Sequence, residues 1–418
     1  MKRSRDMPPA RSRRPVRLLT LTTLFPNSLR PRHGIFIANR LRLLCATGRV
    51  EATVLAAVPW FPGYYRDDAR VPARESIAGF DVHHPRYLNW PKIGMRRQPD
   101  ALARSLLRTL RSPAFAGRTF DVVDAHYFYP DGVAAAIVAR TLRLPLVVSA
   151  RGSDVNRIGD FAFARQRMRR AAAQAASVIA VSRALKDRML ALGITTGSVS
   201  VLRNGVDTAQ FTLVDRSSAR TRLGLDASST LVLGVANLVP EKGIDLLIRA
   251  AARNASWRVL IVGDGPEREG LRRLAQREAP GRVEFRDTMP QADLRYAYAA
   301  ADALALPSLR EGWPNVVLEA MACGTPVAAA AVGGVPEIVQ EGAPGIVVAE
   351  RSVEAWSAAL NALVAARWSP QSVRAYAMDF GWDDVVDRQC ALYEAVARQY
   401  HVPAEARASA AVSAAARR

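Results

Sequence analysis

Two hydrophobic patterns alternate along the 418-residue chain. Short runs rich in Val, Ile and Leu stand without polar/apolar alternation, and between them lie longer stretches in which apolar residues recur every three or four positions. Unbroken runs are the mark of strands buried on both faces, and the wider spacing is that of a helix with one buried stripe. In the first half the runs predict strands over 16–24, 50–58, 120–125, 144–149 and 177–181, with a helix over 34–46. In the second half they predict strands over 230–235, 257–262, 283–286, 303–306, 327–331 and 345–348, with helices over 245–254, 267–277 and 316–322. Strands that alternate with helices in this way build parallel sheets covered on both faces. The expected fold class is therefore α/β, with two doubly wound units facing each other across a cleft. The divisions follow: a basic tail 1–15, a first unit 16–204, a linker 205–223, a second unit 224–380, a last helix within 381–402 and a tail 403–418.

Composition narrows the class. Half of the residues are hydrophobic and 23% are charged, the balance of a globular protein. Cys45, Cys323 and Cys390 are scattered and odd in number, which fits thiols in a reducing compartment better than disulfides or a zinc site. Arg13 and Arg14 precede an apolar stretch that superficially resembles an export signal. That stretch is short, broken by threonines and followed by Asn27 and Arg30, so it reads as the first buried strand. No run reaches the roughly 18 to 20 apolar residues of a spanning helix.

Charge divides the chain sharply. Residues 1–200 hold 34 Lys/Arg against 13 Asp/Glu, a net +21, whereas residues 201–418 hold 24 against 25, a net −1. Clusters fall between Lys2 and Arg17, at Arg96, Arg97, Arg104, Arg108 and Arg111, and at Arg165, Arg167, Arg169 and Arg170. A basic surface of this kind attracts anionic lipid headgroups, phosphate-bearing acceptors or nucleic acid.

The most informative chemistry lies in the segment from Glu311 through Gly312, Trp313, Pro314, Asn315 and Val316 to Glu319. The first glutamate sits in a Gly/Pro loop and the second in an apolar run, so the spacing places one carboxylate at a helix mouth and another on that helix. Eight helical residues rise about 12 Å, the length of a sugar joined through a diphosphate to a nucleoside. The amides of the first helical turn would face the diphosphate, and Pro314 suits a helix start because its missing N–H costs nothing there. Lys242 follows another strand in a loop entering a helix, placed to offset diphosphate charge.

This Glu-x7-Glu segment resembles the signature of retaining GT-B glycosyltransferases, glycosyltransferase family 4, and the resemblance spans roughly residues 16–365. It implies a GT-B fold whose second domain binds a nucleotide-diphosphate sugar and whose first domain binds the acceptor. On that resemblance Glu311, Lys242 and His126 are the catalytic candidates, His126 standing at the end of a strand and hydrogen-bonding the donor sugar. Gly34, Asn237, Gly263, Thr288 and Met289 join the 311–316 loop and Glu319 in holding the donor. Asn237 departs from the pattern, since the family usually has arginine five residues before the lysine; Arg310 or Arg203 is a candidate substitute. His33 and Asp154 are expected on the acceptor side, Asp154 equally as a structural cap, and Arg96, Arg97, Arg104 and Arg108 are expected at acceptor or membrane. Without an Asp-x-Asp at a strand end or a His/Cys cluster, a metal-independent reaction with no cofactor is expected. The expected activity is transfer of a hexose-type sugar to a lipid-linked saccharide in bacterial surface polysaccharide synthesis, in the cytoplasm and peripherally on the inner face of an anionic membrane. A nucleotide-sugar epimerase on the same scaffold and a nucleic-acid-binding protein are the alternatives. The second lacks aromatic interleaving in its basic clusters, so nucleic acid is not expected as a partner.

Overall fold

A computed structural model describes residues 14–91, 93–195, 197 and 199–400. Most of the tails assigned to 1–15 and 403–418, including the basic cluster from Lys2 as far as Arg13, lies outside the described residues. Two parallel sheets organise the chain. The first has eight strands in the order Val199–Val201, Ser177–Ala180, Leu146–Ala150, Val122–His126, Val16–Thr22, Val50–Ala56, Phe80–His83 and Arg74–Ile77, the last antiparallel to its neighbour. The second has six, Val283–Arg286, Trp257–Val262, Thr230–Val235, Ala303–Leu306, Val327–Ala330 and Gly345–Val348, all parallel. The runs that carried the sequence pattern are these central strands, and their side chains are buried on both faces, as in Val122–His126 and Leu146–Ala150. A small parallel pair, Val58–Trp60 with Arg86–Leu88, projects beside the first sheet.

Strand order reverses between Val16–Thr22 and Val122–His126 in the first sheet and between Thr230–Val235 and Ala303–Leu306 in the second. Open α/β sheets bind ligands outside the carboxyl ends at such reversals. The cleft-lining loops that follow these strands, Leu24, Tyr127, Ala236 and Leu306 among them, put both switch points on one cavity.

The helix after the fourth strand of the second sheet runs Asn315–Ala322, with Pro314 as its N-cap. Only the latter half of the interval from Glu311 to Glu319 is therefore helical. The expectation of an eight-residue helical rise is corrected to a loop that delivers Glu311 and a helix that delivers Glu319. The last described helix, Asp383–Gln399, packs its Val385, Val386, Cys390, Tyr393 and Val396 into the core of the first domain against Leu18, Ile37, Leu41 and Val54. Among the described residues no helix is long and apolar enough to cross a membrane.

Candidate active site

The cleft between the two carboxyl edges encloses about 900 Å³. A volume of this size holds a ligand larger than a monosaccharide. The second domain contributes Asn237, Lys242, Gly263, Thr288, Met289, Glu319 and the loop from Glu311 through Gly312, Trp313, Pro314, Asn315 and Val316 to its wall, and the first domain contributes His33 and Gly34.

Lys242 ends the short turn Pro240–Lys242, and its Nζ lies 2.6 Å from Oε1 of Glu311. The two groups arrive from loops after adjacent strands, so the sheet sets their separation. Glu319, four residues into its helix, accepts a 2.7 Å hydrogen bond on Oε2 from the hydroxyl of Tyr298. It keeps some surface open to the cleft, yet its apolar surroundings push its carboxyl up to about 7, more than the Tyr298 hydrogen bond lowers it.

Glycine shapes two approaches. Gly34 has φ 66°, and a Cβ there would lie 2.3 Å from the carbonyl oxygen of Leu24. That fold of the chain turns the loop back on itself at the start of Ile35–Ala46 and brings His33 beside it, where Nε2 sits 3.0 Å from the carbonyl oxygen of Thr23. At Gly312 a Cβ would lie 2.3 Å from the carbonyl oxygen of Arg151, so only glycine lets the Glu311 loop press against the opposite domain. The contact is reinforced by Asn156 Nδ2 donating to the Glu311 carbonyl at 3.2 Å and by Asn204 Nδ2 donating to Asn315 Oδ1 at 3.1 Å. A further crossing joins Glu337 to the start of the helix Arg183–Ala191, where the carboxylate accepts from the amides of Arg183 at 3.0 Å and Ala184 at 3.1 Å.

One assignment made from the sequence changes here, and two open alternatives are narrowed. His126 has no exposed surface and does not line the cleft. Its Nε2 lies 2.9 Å from Asp124, and Arg151 donates to Nδ1. Because Nδ1 accepts, the proton sits on Nε2 facing Asp124. Burial and then the neighbouring Arg151 lower the imidazole pKa, the Asp124 carboxylate opposing them. His126 therefore stands behind Arg151, which does line the cleft, and cannot touch a donor sugar in this arrangement. Asp154 is likewise fully buried; its carboxylate accepts from the amides of Phe128, Arg151 and Gly152 at 2.6, 3.1 and 2.7 Å. It is a loop anchor without reach to an acceptor. Arg203 lies over the ring of Phe380 and donates to the Asp379 carbonyl, away from the cleft, while Arg310 lines it. Arg96, Arg97, Arg104 and Arg108 are exposed outside the cleft.

Arg151 was missed, although its loop was noticed. The cue was its position: it is the first residue after the buried strand Leu146–Ala150, at the edge where side chains enter the cleft. Burial lowers its pKa to about 10, so it stays cationic near neutrality. Behind it runs a buried polar chain: Tyr393 donates to Asp124 at 2.8 Å, Gln389 donates to Tyr393 at 2.7 Å, and Arg40 donates to Gln389 and, at 3.0 Å, to Asn204. Among the described residues no group of three or more His, Cys, Asp or Glu side chains is placed to hold a metal ion.

Two facing doubly wound domains with a cleft between their carboxyl edges define a GT-B architecture. Residues 215–379 match the family described as Glycosyl transferases group 1, and residues 44–210 match Glycosyltransferase Family 4. The chain is 31% identical over 336 residues to the putative teichuronic acid biosynthesis glycosyltransferase TuaC of Bacillus subtilis, covering 77% of this chain and 83% of that one. It is 37% identical over 214 residues to the D-inositol 3-phosphate glycosyltransferase of Mycolicibacterium paratuberculosis, a match that spans 48% of each chain and so about half of that relative. In fold it is similar to sucrose-phosphate synthase of Thermosynechococcus elongatus, at TM-score 0.75 and 21% identity over 92% of this chain and 99% of that one. It is also similar to Anabaena HepE in complex with UDP and glucose, at TM-score 0.70 and 22% identity over 91% and 100%. The chain belongs to the GT-B glycosyltransferases.

Proposed function

We propose that the chain transfers a hexose from a nucleoside-diphosphate donor to a lipid-linked saccharide acceptor at the inner face of a cytoplasmic membrane, with retention at the anomeric carbon and without a metal ion. The observation that carries this reading is the Lys242–Glu311 pair, 2.6 Å apart at the mouth of the Asn315–Ala322 helix that presents Glu319. Lys242 and the amides of that helix meet the diphosphate, where a cation and a helix N-terminus both favour negative charge. Glu311 accepts hydrogen bonds from the hexose and Glu319 from the ribose diol. In the step itself the bond from the anomeric carbon to the diphosphate oxygen breaks. The acceptor oxygen bonds to that carbon from the same face, and its proton passes to the departing phosphate oxygen. Lys242 stabilises the charge that grows there. Similarity to a putative teichuronic acid biosynthesis glycosyltransferase and to a D-inositol 3-phosphate glycosyltransferase fits an anionic acceptor. The deciding experiment incubates the protein with a panel of nucleotide sugars and lipid-linked saccharides, with and without EDTA, and follows products by mass spectrometry and anomeric NMR. Transfer with retention, unchanged by EDTA, is expected. An inverted product, or activity that EDTA removes, would overturn the mechanism.

A further inference from the structure

The first domain carries a surface that the cleft chemistry does not use. The small parallel pair Val58–Trp60 and Arg86–Leu88, with the turn after it, exposes Trp60, Tyr64, Leu88, Trp90, Ile93 and Met95. Ile93 is 78% exposed and Trp90 45%, far beyond what an isolated surface residue explains when neighbours are also apolar. The group is contiguous: the rings of Phe61 and Trp90 are 5.1 Å apart, the amide of Asn89 bonds the carbonyl of Trp60, and the amide of Gly94 bonds that of Trp90. The projection is held rigidly, since Asn89 donates to the Tyr65 hydroxyl at 2.8 Å and Gln98 to that of Tyr87 at 3.0 Å.

Next to it runs the helix Gln98–Leu110, whose buried face carries Leu102 and Leu106. Arg97, Arg104, Arg108 and Arg111 follow at steps of seven, four and three residues and are all exposed. At 3.6 residues per turn they fall within about 60° of one another. Among the described residues no carboxylate forms an ion pair with any of these four, and Asp100 nearby is held by Arg167 at 2.8 Å. Tyr129 ties this region to the cleft: its hydroxyl donates to the Met95 carbonyl, and two residues before it Tyr127 lines the cavity.

We infer that the Trp60–Trp90–Ile93 projection and the arginine stripe beside it form one docking surface for an anionic phospholipid bilayer, the aromatics and aliphatics entering the headgroup boundary while the arginines hold lipid phosphates. Trp and Tyr favour that boundary, and each basic residue close to an anionic leaflet adds to the attraction. The exposed aliphatic side chains, which offer no base a stacking partner, favour lipid over nucleic acid. This inference rests on the proposed lipid-linked acceptor, which such docking would bring level with the cleft mouth.

The test is co-sedimentation of the full chain with vesicles of phosphatidylcholine alone and with 30% phosphatidylglycerol, at about 50 and 500 mM salt. Binding is expected only to the anionic vesicles, weakened at least tenfold by the higher salt. Brominated lipid should quench tryptophan fluorescence, and W60F/W90F should remove that quenching. Arg97→Glu/Arg104→Glu/Arg108→Glu should weaken binding at least 100-fold and Trp60→Ser/Trp90→Ser/Ile93→Ser at least tenfold, with nucleotide binding in solution unchanged in the latter. Equal binding to neutral vesicles, equal binding to a nucleic-acid duplex, no quenching, or a patch variant that merely converts a dimer to a monomer would each overturn the interface. Vesicle binding by a protein that transfers no sugar would leave it standing and sink the catalytic reading, and transfer to a water-soluble acceptor without vesicle binding would do the reverse.

Discussion

The two walls of the cleft are built on opposite plans. The second domain meets the cavity with groups carried on the loops and the helix that follow its strands: Lys242, Glu311 and Glu319 all line it. The first domain meets it with the His33–Gly34 loop and with Arg32, Arg42, Arg151 and Arg157, and keeps Asp124, His126 and Asp154 wholly inside. One wall offers its carboxylates to a ligand, and the other offers cations and holds its own carboxylates back behind them. Polar residues at equivalent strand ends can thus serve chemistry on one side and architecture on the other, and only burial separates the two.

The largest expected effect tests the architectural wall. Asp124→Ala removes the carboxylate that faces His126 and accepts from Tyr393, and with it a nearby counter-charge for the buried Arg40 and Arg151, and should cost about 3–5 kcal/mol of stability, seen as earlier unfolding in urea. A loss below about 1 kcal/mol would mean that the buried chain is not what fixes Arg151. Its counterpart is Lys242→Ala, expected to lower kcat about 100- to 1,000-fold with unfolding close to that of the native protein. Undiminished transfer in that variant would remove the lysine from the reaction and with it the contrast between the walls.

Glu319 sharpens the comparison through pH. Its carboxyl has an ordinary pKa of 4.5 and titrates at about 7 in the folded chain, so between those values the folded state keeps a proton that the unfolded chain has released. The stability linked to that proton is complete below the lower value and lost as pH rises through the upper one. Glu319→Gln should therefore gain stability relative to the native protein between about pH 5 and pH 8, while weakening donor binding about tenfold. Thermal melts across that range check the first part and calorimetry with nucleotide sugar the second. The smallest effect concerns the clasp between the walls. Glu337→Ala removes a cap from Arg183–Ala191 and should cost about 1 kcal/mol, read as a donor KM raised a few-fold at unchanged kcat.

The sequence was most legible where structure is local. The five runs Thr230–Val235, Trp257–Val262, Val283–Arg286, Ala303–Leu306 and Gly345–Val348 coincide with their strands end to end, because each is a short stretch rich in β-branched, aromatic or other apolar residues bounded by loop residues. Arg74–Ile77 and Phe80–His83 escaped notice: they form a hairpin at the sheet edge, and in Arg74–Ile77 no residue is buried, which leaves little hydrophobic signal. Gly263, Thr288 and Met289 lie within a few positions of a strand end, and Glu311 to Glu319 form one short segment, so the donor side was legible for the same local reason. What buries His126 was not, since Asp124 and Tyr393 stand 269 positions apart and Arg40 and Gln389 stand 349 apart. No window along the chain contains both partners.

The helix Asp383–Gln399 has a consequence for how the molecule is made. It supplies Tyr393, Gln389 and five apolar side chains to the core of a domain whose strands end at Val201. The ribosome delivers that piece after every strand of both sheets, and at about 5–20 residues per second the first domain waits on the order of ten to forty seconds with Asp124 and Arg40 uncovered. The second domain has every strand it needs before then. Synthesis thus supplies all the strands of the later domain before the earlier domain's core is closed by the helix Asp383–Gln399.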